Sequence, residues 1–336
     1  MGIIVIWISE SIRLFVVEYK CINYCIMVLL DKFRDSVNKG YWLYRLYFAL
    51  RYEIPCRLLG DKWMIRRSFR TILGFKPNLE HPQTLNEKLQ WIKLYDRDDF
   101  RTMAADKLRV REFYKENFGE EHIVPLIKKL DSWRDVTYDS LPDEPFVIKA
   151  NTGTGTWMIV RDKRDVDIID LRKKCRRWMN CNHYYGTQEW QYKNIKPCII
   201  VEKLLTDKDG KIPVDYKLHY INGELQFIYC VVDREGDAYR AMFSPEWKLL
   251  PFQWVSIRNH KPLRSFVNEP RPQNLDLMIM YGNEIAKHFK YYVRVDYYEV
   301  GGKMYFGEIT MHHGSGHNMF FPAHVEKEYA DKFIIS

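Results

Sequence analysis

The segment RVDYYEVGGKMYFGEIT occupies residues 294–310 and decides the fold class. Two runs of alternating apolar and polar residues flank the Gly301-Gly302 pair, which predicts a β-hairpin. Asp296 and Glu308 lie twelve residues apart across this turn, so the hairpin can bring both carboxylates onto one face. Arg294 stands two residues before the first carboxylate. This arrangement suits a hard cation that bridges phosphate oxygens, and a solvated strand pair with surface charges is the alternative.

The composition of the whole chain is that of an ordinary globular protein. Of its 336 residues, 46% are hydrophobic and 29% are charged, and this length suffices for about two domains. The net charge of +8 favours anionic partners such as nucleotides, acidic polysaccharide, nucleic acid or anionic lipid. The basic clusters at 66–70 and 172–177 are interpreted as solvated helix faces, so nucleic acid is not a predicted partner.

The cysteines indicate the redox compartment of the protein, and the histidines raise the question of a metal site. Seven cysteines, an odd number without a Cys-x-x-Cys pair, predict a protein of the reducing cytoplasm. His312, His313 and His317 could bind a transition metal, but they lie in a Gly/Ser loop without a matching Cys or His group. A zinc site is therefore not predicted, and the role of these histidines stays open.

The first 30 residues are apolar but do not form a pattern typical of a membrane span. Residues 3–8 and 21–30 are free of charge, and neither run reaches the roughly 20 residues that a spanning helix needs. A signal peptide is disfavoured because no basic region and cleavage site frame a continuous apolar core. We expect an amphipathic helix that packs on the protein, with peripheral contact to the inner membrane face or to a biosynthetic complex as the alternative.

The predicted elements are helices first, followed by mixed strands and helices. Residues 1–75 form a helical pattern, and Thr84-Leu85-Asn86-Glu87 is a capping box that begins the next helix. A second helix is predicted over roughly 100–117, with Gly119 at its end. Strands are predicted at 146–150, 157–160, 198–205, 217–221 and 225–229, and helices at 166–180 and 275–289. This order indicates an α+β protein with mainly antiparallel sheets.

A small-residue loop, Asn151-Thr152-Gly153-Thr154-Gly155-Thr156, follows Lys149 and joins two of these strands. Exposed backbone N–H groups together with a lysine can cradle phosphate. The loop is not a P-loop, because no Gly-Lys-Ser/Thr is present, and it is not a dinucleotide fingerprint, because no helix follows. A strand, a glycine loop and a second strand would suit a lid over a triphosphate. A plain hairpin turn is the alternative.

Two further sites carry weaker signals. Glu202 to Leu204 end a buried strand, where a backbone edge could pair with adenine while the carboxylate accepts from the exocyclic amine. A charge on an edge strand is the alternative. Asp106-Lys107 falls on a predicted helix, where a solvated pair is the default interpretation.

Three Asp-x-Asp matches could hold the metal of a sugar-nucleotide transferase. They are Asp96/Asp98, Asp165/Asp167 and Asp207/Asp209. None follows a convincing buried strand, and chance matches are expected in a chain rich in aspartate. A glycosyltransferase therefore stays as an alternative function.

Taken in order, these segments resemble the TupA-like ATP-grasp proteins of bacterial surface-polysaccharide loci, over about residues 60–325. The motifs are Thr84–Trp91, Ala105-Asp106-Lys107, Phe146–Lys149 with the glycine loop, Glu189–Asn194, Val201–Leu204, Asp215-Tyr216-Lys217, Asn222-Gly223-Glu224 and Arg294–Gly316. The resemblance implies an α+β ATP-grasp fold in which two α+β subdomains clasp ATP, with a helical N-terminal extension. The expected parts are the extension 1–75, a helical part 76–140, a lid subdomain 141–200 and a C-terminal subdomain 201–336.

The resemblance also implies roles for individual residues. Those implied to bind ATP are Lys107, Lys149, Thr152, Gly153, Thr154 and Gly155 at the phosphates, and Glu202, Lys203 and Leu204 at the adenine hinge. Asp296, Glu308 and Thr310 would hold Mg²⁺. Arg294 would orient the phosphoryl group and the developing acyl phosphate, and with Lys149 and Lys217 it forms the expected catalytic set.

Three departures from the family pattern concern the acceptor more than ATP. Thr310 stands where many ATP-grasp ligases have Asn, and the glycine loop begins Asn-Thr where relatives commonly have Asn-His. His312-His313 replaces an aromatic-proline pair before Gly314-Ser315-Gly316, the loop expected to face the acceptor.

The implied activity is ATP-dependent ligation of a carboxylate to an amine through an acyl phosphate. We expect amidation of a uronic-acid saccharide with an amino acid or peptide, in the assembly of capsule, O-antigen or another cell-surface polysaccharide. The alternatives are a glycosyltransferase of the same kind of locus and a non-catalytic scaffold tethered by its N-terminal helix.

Overall fold

The computed structural model describes residues 40–232, 239–257 and 269–335. The packing of the chain separates the residues up to Met64 from those that begin at Ile65. The amphipathic helix expected within the first 30 residues lies outside the described residues. Within the described ranges, no helix combines the length and apolar character that crossing a membrane requires.

The first described residues are helical. Helix α1 covers Tyr41–Phe48, a π-helical turn follows at Ala49–Glu53, and α2 covers Ile54–Leu73. Gly60 interrupts α2 because its backbone lies at φ 77° and ψ 168°, a conformation that glycine adopts without steric cost.

Three helices follow a short connection. They are α3 (Leu85–Tyr95), α4 (Asp99–Ala105) and α5 (Arg109–Phe118). The predicted capping box begins α3, since the Thr84 hydroxyl accepts from the Glu87 N–H at 3.2 Å and the Glu87 carboxylate accepts from the Thr84 N–H at 3.1 Å. Capping in this way satisfies N–H groups that the first helical turn leaves without a partner.

The prediction of a single helix over roughly 100–117 is wrong, because a non-helical segment separates α4 from α5. Asp106 has an extended backbone at φ −77° and ψ 106°, and its carboxylate accepts from the Leu108 N–H at 2.9 Å. An Asp side chain that binds the backbone two residues later offers the chain an alternative to the helix. Asp106 is only 5% exposed, so the default interpretation of Asp106-Lys107 as a solvated pair is also wrong.

The first sheet has four antiparallel strands. They are β1 (Leu126–Leu130), β2 (Phe146–Ala150), β3 (Trp157–Val160) and β4 (Ile199–Lys203), in the order β1-β4-β2-β3. Helix α6 (Ile168–Asn180) packs on this sheet through Leu171 and Cys175, and the short α7 covers His183–Thr187. Because β4 is an interior strand, the alternative that placed Glu202 on an edge strand is wrong.

The second sheet has six antiparallel strands. They are β5 (Asp215–Ile221), β6 (Glu224–Val232), β7 (Tyr239–Phe243), β8 (Leu249–Leu250), β10 (Tyr292–Val300) and β11 (Lys303–Thr310), in the order β11-β10-β5-β6-β7-β8. Both predicted hairpins are confirmed, β5–β6 around Asn222-Gly223 and β10–β11 around Gly301-Gly302. Asn222 and Gly223 have φ of 48° and 84°, the left-handed pair that a tight turn between twisted strands requires.

The remaining elements cover this sheet. Strand β9 (Gln253–Val255) pairs with β12 (Met319–Phe321), and the helices are α8 (Leu275–Ala286) and α9 (Val325–Lys332). Short 3₁₀ turns lie at Glu120–His122, Trp133–Asp135, Tyr138–Ser140, Lys163–Asp165, Trp190–Tyr192 and His313–Gly316. A hydrophobic core that includes Phe227, Trp254 and Phe320 packs against this sheet. Burial of each such side chain stabilises the fold by about 1.5–3 kcal/mol.

Candidate active site

A cavity of about 240 Å³ lies between the two sheets. Eight of the predicted site residues line it: Lys107, Lys149, Glu202, Lys203, Leu204, Lys217, Asp296 and Glu308. The glycine loop, Arg294 and Thr310 are not among the residues that line the cavity, and each contacts one that is. The structure therefore brings the predicted set together around one space.

Strand register explains why the second sheet presents its charges together. Asp296 on β10 pairs with Lys217 on β5 and with Glu308 on β11, so these three side chains form a row on one face. Arg294 and Thr310 form the adjacent row, because each lies two residues from a member of the first row. The hairpin thus brings both carboxylates onto one face, as the sequence predicted.

Asp296 is the centre of this cluster and is only 1% exposed. The Lys217 ammonium donates to Asp296 Oδ2 and to Asp215 Oδ2, at 2.5 Å in each case. Arg294 donates through Nε to Asp296 Oδ1 at 2.6 Å and through Nη2 to Asp296 Oδ2 at 2.7 Å. This two-pronged contact fixes the plane of the guanidinium against the carboxylate.

Glu308 joins the same network from the neighbouring strand. Its Oε1 accepts from Arg294 Nη2 at 2.9 Å, and the Thr310 hydroxyl lies 3.4 Å from the same oxygen. Its Oε2 lies 3.8 Å from the Lys107 ammonium. Burial by itself would raise the pKa of Glu308, but Lys107 and Arg294 outweigh burial and hold this pKa below its ordinary value. Glu308 is therefore ionised at neutral pH.

Among the ion pairs described above, positive and negative charges are equal in number. The three carboxylates Asp215, Asp296 and Glu308 meet three cations, which are Lys107, Lys217 and Arg294. Burial lowers the pKa of Lys107, while Glu308 opposes that shift. Burial would also lower the pKa of Arg294, but Asp296 more than compensates and raises it. A bare cation or a bare polyanion would each disturb this balance, whereas a cation bound to a polyphosphate would disturb it less.

The glycine loop is anchored at its start and open at its tip. The Asn151 side chain accepts from the Cys198 N–H at 2.8 Å and donates to the Asp106 carboxylate at 2.9 Å. Lys107 donates to the Gly153 carbonyl at 2.6 Å. Gly153 and Gly155 have φ of 78° and 69°, so the tip needs glycine at both positions.

Two of the three threonines of the loop, Thr152 and Thr154, lie on either side of Gly153. The carbonyl of Thr152 accepts from the Thr156 hydroxyl at 3.0 Å, and the Thr154 hydroxyl lies 3.4 Å from His183 Nε2. A Cβ at Gly153 would meet the His183 ring at 3.2 Å, whereas nothing lies within 4 Å of a Cβ at Gly155. The contacts to His183 therefore lie at the middle of the loop, at Gly153 and Thr154.

Glu202, on the first sheet, contacts two cations, Lys149 on β2 and Arg111 on α5. The Lys149 ammonium lies 2.5 Å from its Oε2, and Arg111 Nη1 lies 2.8 Å from its Oε1. The backbone beyond it continues the sheet, since the N–H groups of Lys203 and Leu204 donate to the carbonyls of Pro125 at 3.0 Å and Pro145 at 3.2 Å. Glu202 thus holds Lys149 at the cavity wall.

Sequence reasoning missed Arg111, Asp215 and the anchoring by Asn151. Asp215 carried a usable signal, because residues two apart on a strand share a face and Lys217 was already singled out. Arg111 carried no signal in the sequence, because its partner Glu202 lies 91 residues away in the chain. Asn151 has no predicted role, and its polar side chain ties the start of the loop to Asp106, the residue after α4, and to Cys198.

The Asp-x-Asp matches have structural contacts. Asp96 pairs with Arg101 at 2.6 Å, and Asp98 caps α4 and also pairs with Arg101. Asp167 caps α6, and the Asp207 carboxylate accepts from the N–H groups of two nearby residues in a turn. These contacts give structural roles to four of the six aspartates, Asp96, Asp98, Asp167 and Asp207.

The three histidines near the C-terminus point to different partners. His312 Nδ1 accepts from Gln191 Nε2 at 3.1 Å, His313 Nδ1 lies 3.0 Å from Arg294 Nη1, and the His317 ring lies 6.1 Å from the Phe69 ring. Burial lowers the pKa of all three, to about 3 for His317. Across the described ranges, no three His, Cys, Asp or Glu side chains gather in a way that would hold a metal by themselves.

The loop 314–316 is held in an unusual conformation by α3. Gly314, Ser315 and Gly316 all have positive φ, at 54°, 54° and 66°. The Lys93 ammonium donates to the Ser315 carbonyl at 2.9 Å and to its hydroxyl at 2.8 Å, and Gln90 Nε2 donates to the carbonyls of Ser315 and Gly316 at 2.9 Å. Positive φ is costly for serine, and these four hydrogen bonds offset that cost.

Comparison with solved structures finds ATP-grasp enzymes at low identity. The D-alanine–D-alanine ligase of Bacillus anthracis complexed with ATP shares 15% identity over 62% of this chain and 54% of its own, with a TM-score of 0.36. The D-alanine–D-alanine ligase of Helicobacter pylori shares 13% over 74% and 69%, with a TM-score of 0.38. N5-carboxyaminoimidazole ribonucleotide synthetase of Thermus thermophilus shares 11% over 73% and 51%, with a TM-score of 0.34.

This chain spans about half the length of the first of these solved structures. No curated protein matches it. The family described as TupA-like ATPgrasp matches residues 87–334, which is most of the chain. The resemblance and the α+β ATP-grasp fold expected from the sequence are thereby confirmed, and the chain belongs to the TupA-like ATP-grasp family.

Proposed function

We propose that this chain is an ATP-dependent ligase that activates a carboxylate as an acyl phosphate and transfers the acyl group to an amine. The balanced cluster around Asp296 carries this proposal, because it places cations and carboxylates against one cavity. Membership of the TupA-like ATP-grasp family supports it.

The cations of the cavity suit the phosphates of ATP. Lys107, Lys149 and Lys217 line it, and each is now paired with a protein carboxylate or carbonyl. A triphosphate offers oxygens of the same charge and reach, so it can replace these partners without leaving a buried cation unpaired. The glycine loop closes over the phosphates, since Lys107 links its Gly153 carbonyl to the cluster.

The donor set beside these cations fits Mg²⁺. Asp296, Glu308 and Thr310 offer hard oxygen ligands, and Mg²⁺ usually takes one or two carboxylates and completes its shell with phosphate oxygens and water. Mg²⁺ neutralises charge between the phosphates when it is bound. Since the cluster is already balanced, these residues favour Mg²⁺ that arrives with the nucleotide over Mg²⁺ alone.

Adenine would lie against the end of β4. The Leu204 N–H already donates to Pro145, which leaves the following residue, Leu205, as the nearest hinge donor. Leu205 also lines the cavity, together with Glu202, Lys203 and Leu204. We therefore extend the adenine hinge by one residue, to Leu205.

The proposed reaction has two chemical steps. A substrate carboxylate oxygen attacks the γ-phosphorus of ATP, the bond to the β-phosphate breaks, and ADP leaves. The amine nitrogen then attacks the acyl carbon, inorganic phosphate leaves, and the nitrogen loses a proton. Arg294 and the lysines stabilise the charge on the transferred phosphoryl group, and positioning supplies much of the remaining acceleration. The closed glycine loop excludes the water that would hydrolyse the acyl phosphate.

The proposed substrates are a uronic-acid saccharide and an amino acid or peptide, and the proposed setting is cytoplasmic assembly of a surface polysaccharide. The family resemblance supports this choice, and the net charge of +8 suits an acidic saccharide. Peripheral membrane contact through the first 30 residues is part of the proposal. The glycosyltransferase has less support, since Asp96, Asp98, Asp167 and Asp207 have structural contacts.

The direct test is a screen for ADP release. Uronic acids and amino acids are combined pairwise with ATP and Mg²⁺, and ADP is measured by a coupled enzyme assay. We expect ADP release that depends on both substrates and yields an amide detectable by mass spectrometry. Consumption of a sugar nucleotide without ADP release would contradict the proposal and support the glycosyltransferase.

A further inference from the structure

His313 contacts the side of Arg294 that faces away from the carboxylates. Nε and Nη2 of the guanidinium bind Asp296 and Glu308, whereas Nη1 lies 3.0 Å from His313 Nδ1. An arginine nitrogen can only donate, so Nδ1 accepts and the imidazole proton resides on Nε2. His313 Nε2 lies 3.3 Å from the Trp254 carbonyl, which accepts this proton.

The imidazole itself is held in place on several sides. Its ring centre lies 4.5 Å from that of Trp254, 4.9 Å from that of His219 and 5.4 Å from that of Tyr229. Asn318 Nδ2 lies 2.9 Å from Nε2, but both atoms carry hydrogen when Nδ1 accepts from Arg294, so this pair forms no hydrogen bond. Only 5% of His313 is exposed. A ring packed and hydrogen-bonded in this way cannot follow Arg294 if the guanidinium turns.

We propose that His313 is a positioning residue, which fixes the rotation of the Arg294 guanidinium for phosphoryl transfer. The inference rests on the proposed function. Asp296 and Glu308 are also the proposed Mg²⁺ ligands, so their contacts with Arg294 weaken when the nucleotide is bound. His313 is a neutral acceptor that takes no part in that exchange, and its contact with Nη1 therefore persists through the reaction.

Two substitutions separate the two hydrogen bonds of the ring. In His313→Asn, the amide oxygen replaces Nδ1 as an acceptor for Arg294, and the shorter side chain loses the Trp254 carbonyl. In His313→Gln, the amide nitrogen takes the place of the imidazole Nε2 and reaches the Trp254 carbonyl, which turns the amide oxygen away from the position that Nδ1 occupied beside Arg294. Both variants are neutral and polar, so each is the matched control for the other.

The kinetic test compares kcat and KM for ADP formation in the two variants. We expect His313→Asn to keep kcat within about threefold of wild type, and His313→Gln to lose about tenfold or more, with KM for ATP unchanged in both. Thermal unfolding should give similar midpoints. Equal loss of kcat in both variants, or full kcat in His313→Gln, would show that the ring has only a packing role.

A second measurement does not depend on turnover. Nitrogen NMR of the arginine side chains reports whether the Nη groups of Arg294 exchange by rotation about the Nε–Cζ bond. We expect slow rotation in wild type and His313→Asn, and faster rotation in His313→Gln. Unchanged rotation in His313→Gln would overturn the positioning role. Absence of ADP release from wild type would instead overturn the proposed function and leave this result standing.

Discussion

The two sides of the cavity differ in how they hold their charged groups. On the second sheet, Asp296 on β10 binds two cations, Arg294 on the same strand and Lys217 on the neighbouring strand β5. On the first sheet, the glycine loop is anchored through Asn151 and Lys107, and its tip at Gly155 has open space around it. Under the proposed function, the second sheet is the rigid side that would position the reacting phosphate, and the glycine loop is the movable side that would close over it.

Removal of the central carboxylate should have the largest effect. In Asp296→Asn, Lys217 and Arg294 keep their charges and lose the one carboxylate that they share, although Asp215 and Glu308 remain beside them. Breaking a buried pair costs about 3–5 kcal/mol. We expect kcat to fall about 10³-fold, together with a clear drop in the unfolding midpoint. Coupled ADP assays and calorimetry measure the two effects. Glu224→Gln, an exposed change on β6, is the control, and an unchanged midpoint in Asp296→Asn would contradict the rigid-side account.

Glu308→Gln should separate activity from stability. Its side chain is 31% exposed, and Arg294 retains both bonds to Asp296 when the charge is removed. We therefore expect kcat to fall about 10²-fold while the urea unfolding curve stays close to wild type. A variant that unfolds as easily as Asp296→Asn would show that the carboxylates act mainly as structural partners.

The movable side is tested by Gly155→Ala. A Cβ fits in the space at this position, but φ of 69° costs a non-glycine residue roughly 1–2 kcal/mol. We expect KM for ATP to rise about tenfold, with stability unchanged, because the strain bears on loop closure and not on the core. Steady-state kinetics at varied ATP concentrations measures this KM. A fall in kcat with KM unchanged would place the loop on the rigid side of the comparison.

Substitution of Lys93 should have a smaller effect on stability, and the size of that effect should depend on pH. Burial lowers its pKa from 10.5 to about 8, although Glu189 opposes the shift. Between these two values the unfolded chain binds more protons than the folded chain, so the contribution of Lys93 to stability rises with pH there and is flat below about 8. Urea unfolding of wild type and Lys93→Met at pH 7.5 and 9.5 should therefore diverge in favour of wild type. Parallel changes in the two proteins would contradict a buried ammonium at the Ser315 loop.

The sequence was sufficient to predict the parts of the site that depend on local pattern. Alternation and turn residues identified both hairpins, and the pairing of Asp296 with Glu308 followed from the hairpin geometry. The break at Asp106 was not predicted, because the helical pattern continues through residues 106–108 and only the Asp side chain competes with it. The pairing of Glu202 with Arg111, and of Arg294 with His313, depends on contacts between distant segments that no local pattern records.

The fate of the carboxylate oxygen tests the central claim most directly. A uronic acid identified by the ADP-release screen is labelled with ¹⁸O in its carboxylate and turned over with ATP, Mg²⁺ and the amine. If the carboxylate attacks the γ-phosphorus, one labelled oxygen leaves with inorganic phosphate in each turnover, and mass spectrometry detects it. Inorganic phosphate without label, formed at the same rate as ADP, would show that water attacks ATP and would contradict acyl-phosphate formation at this site.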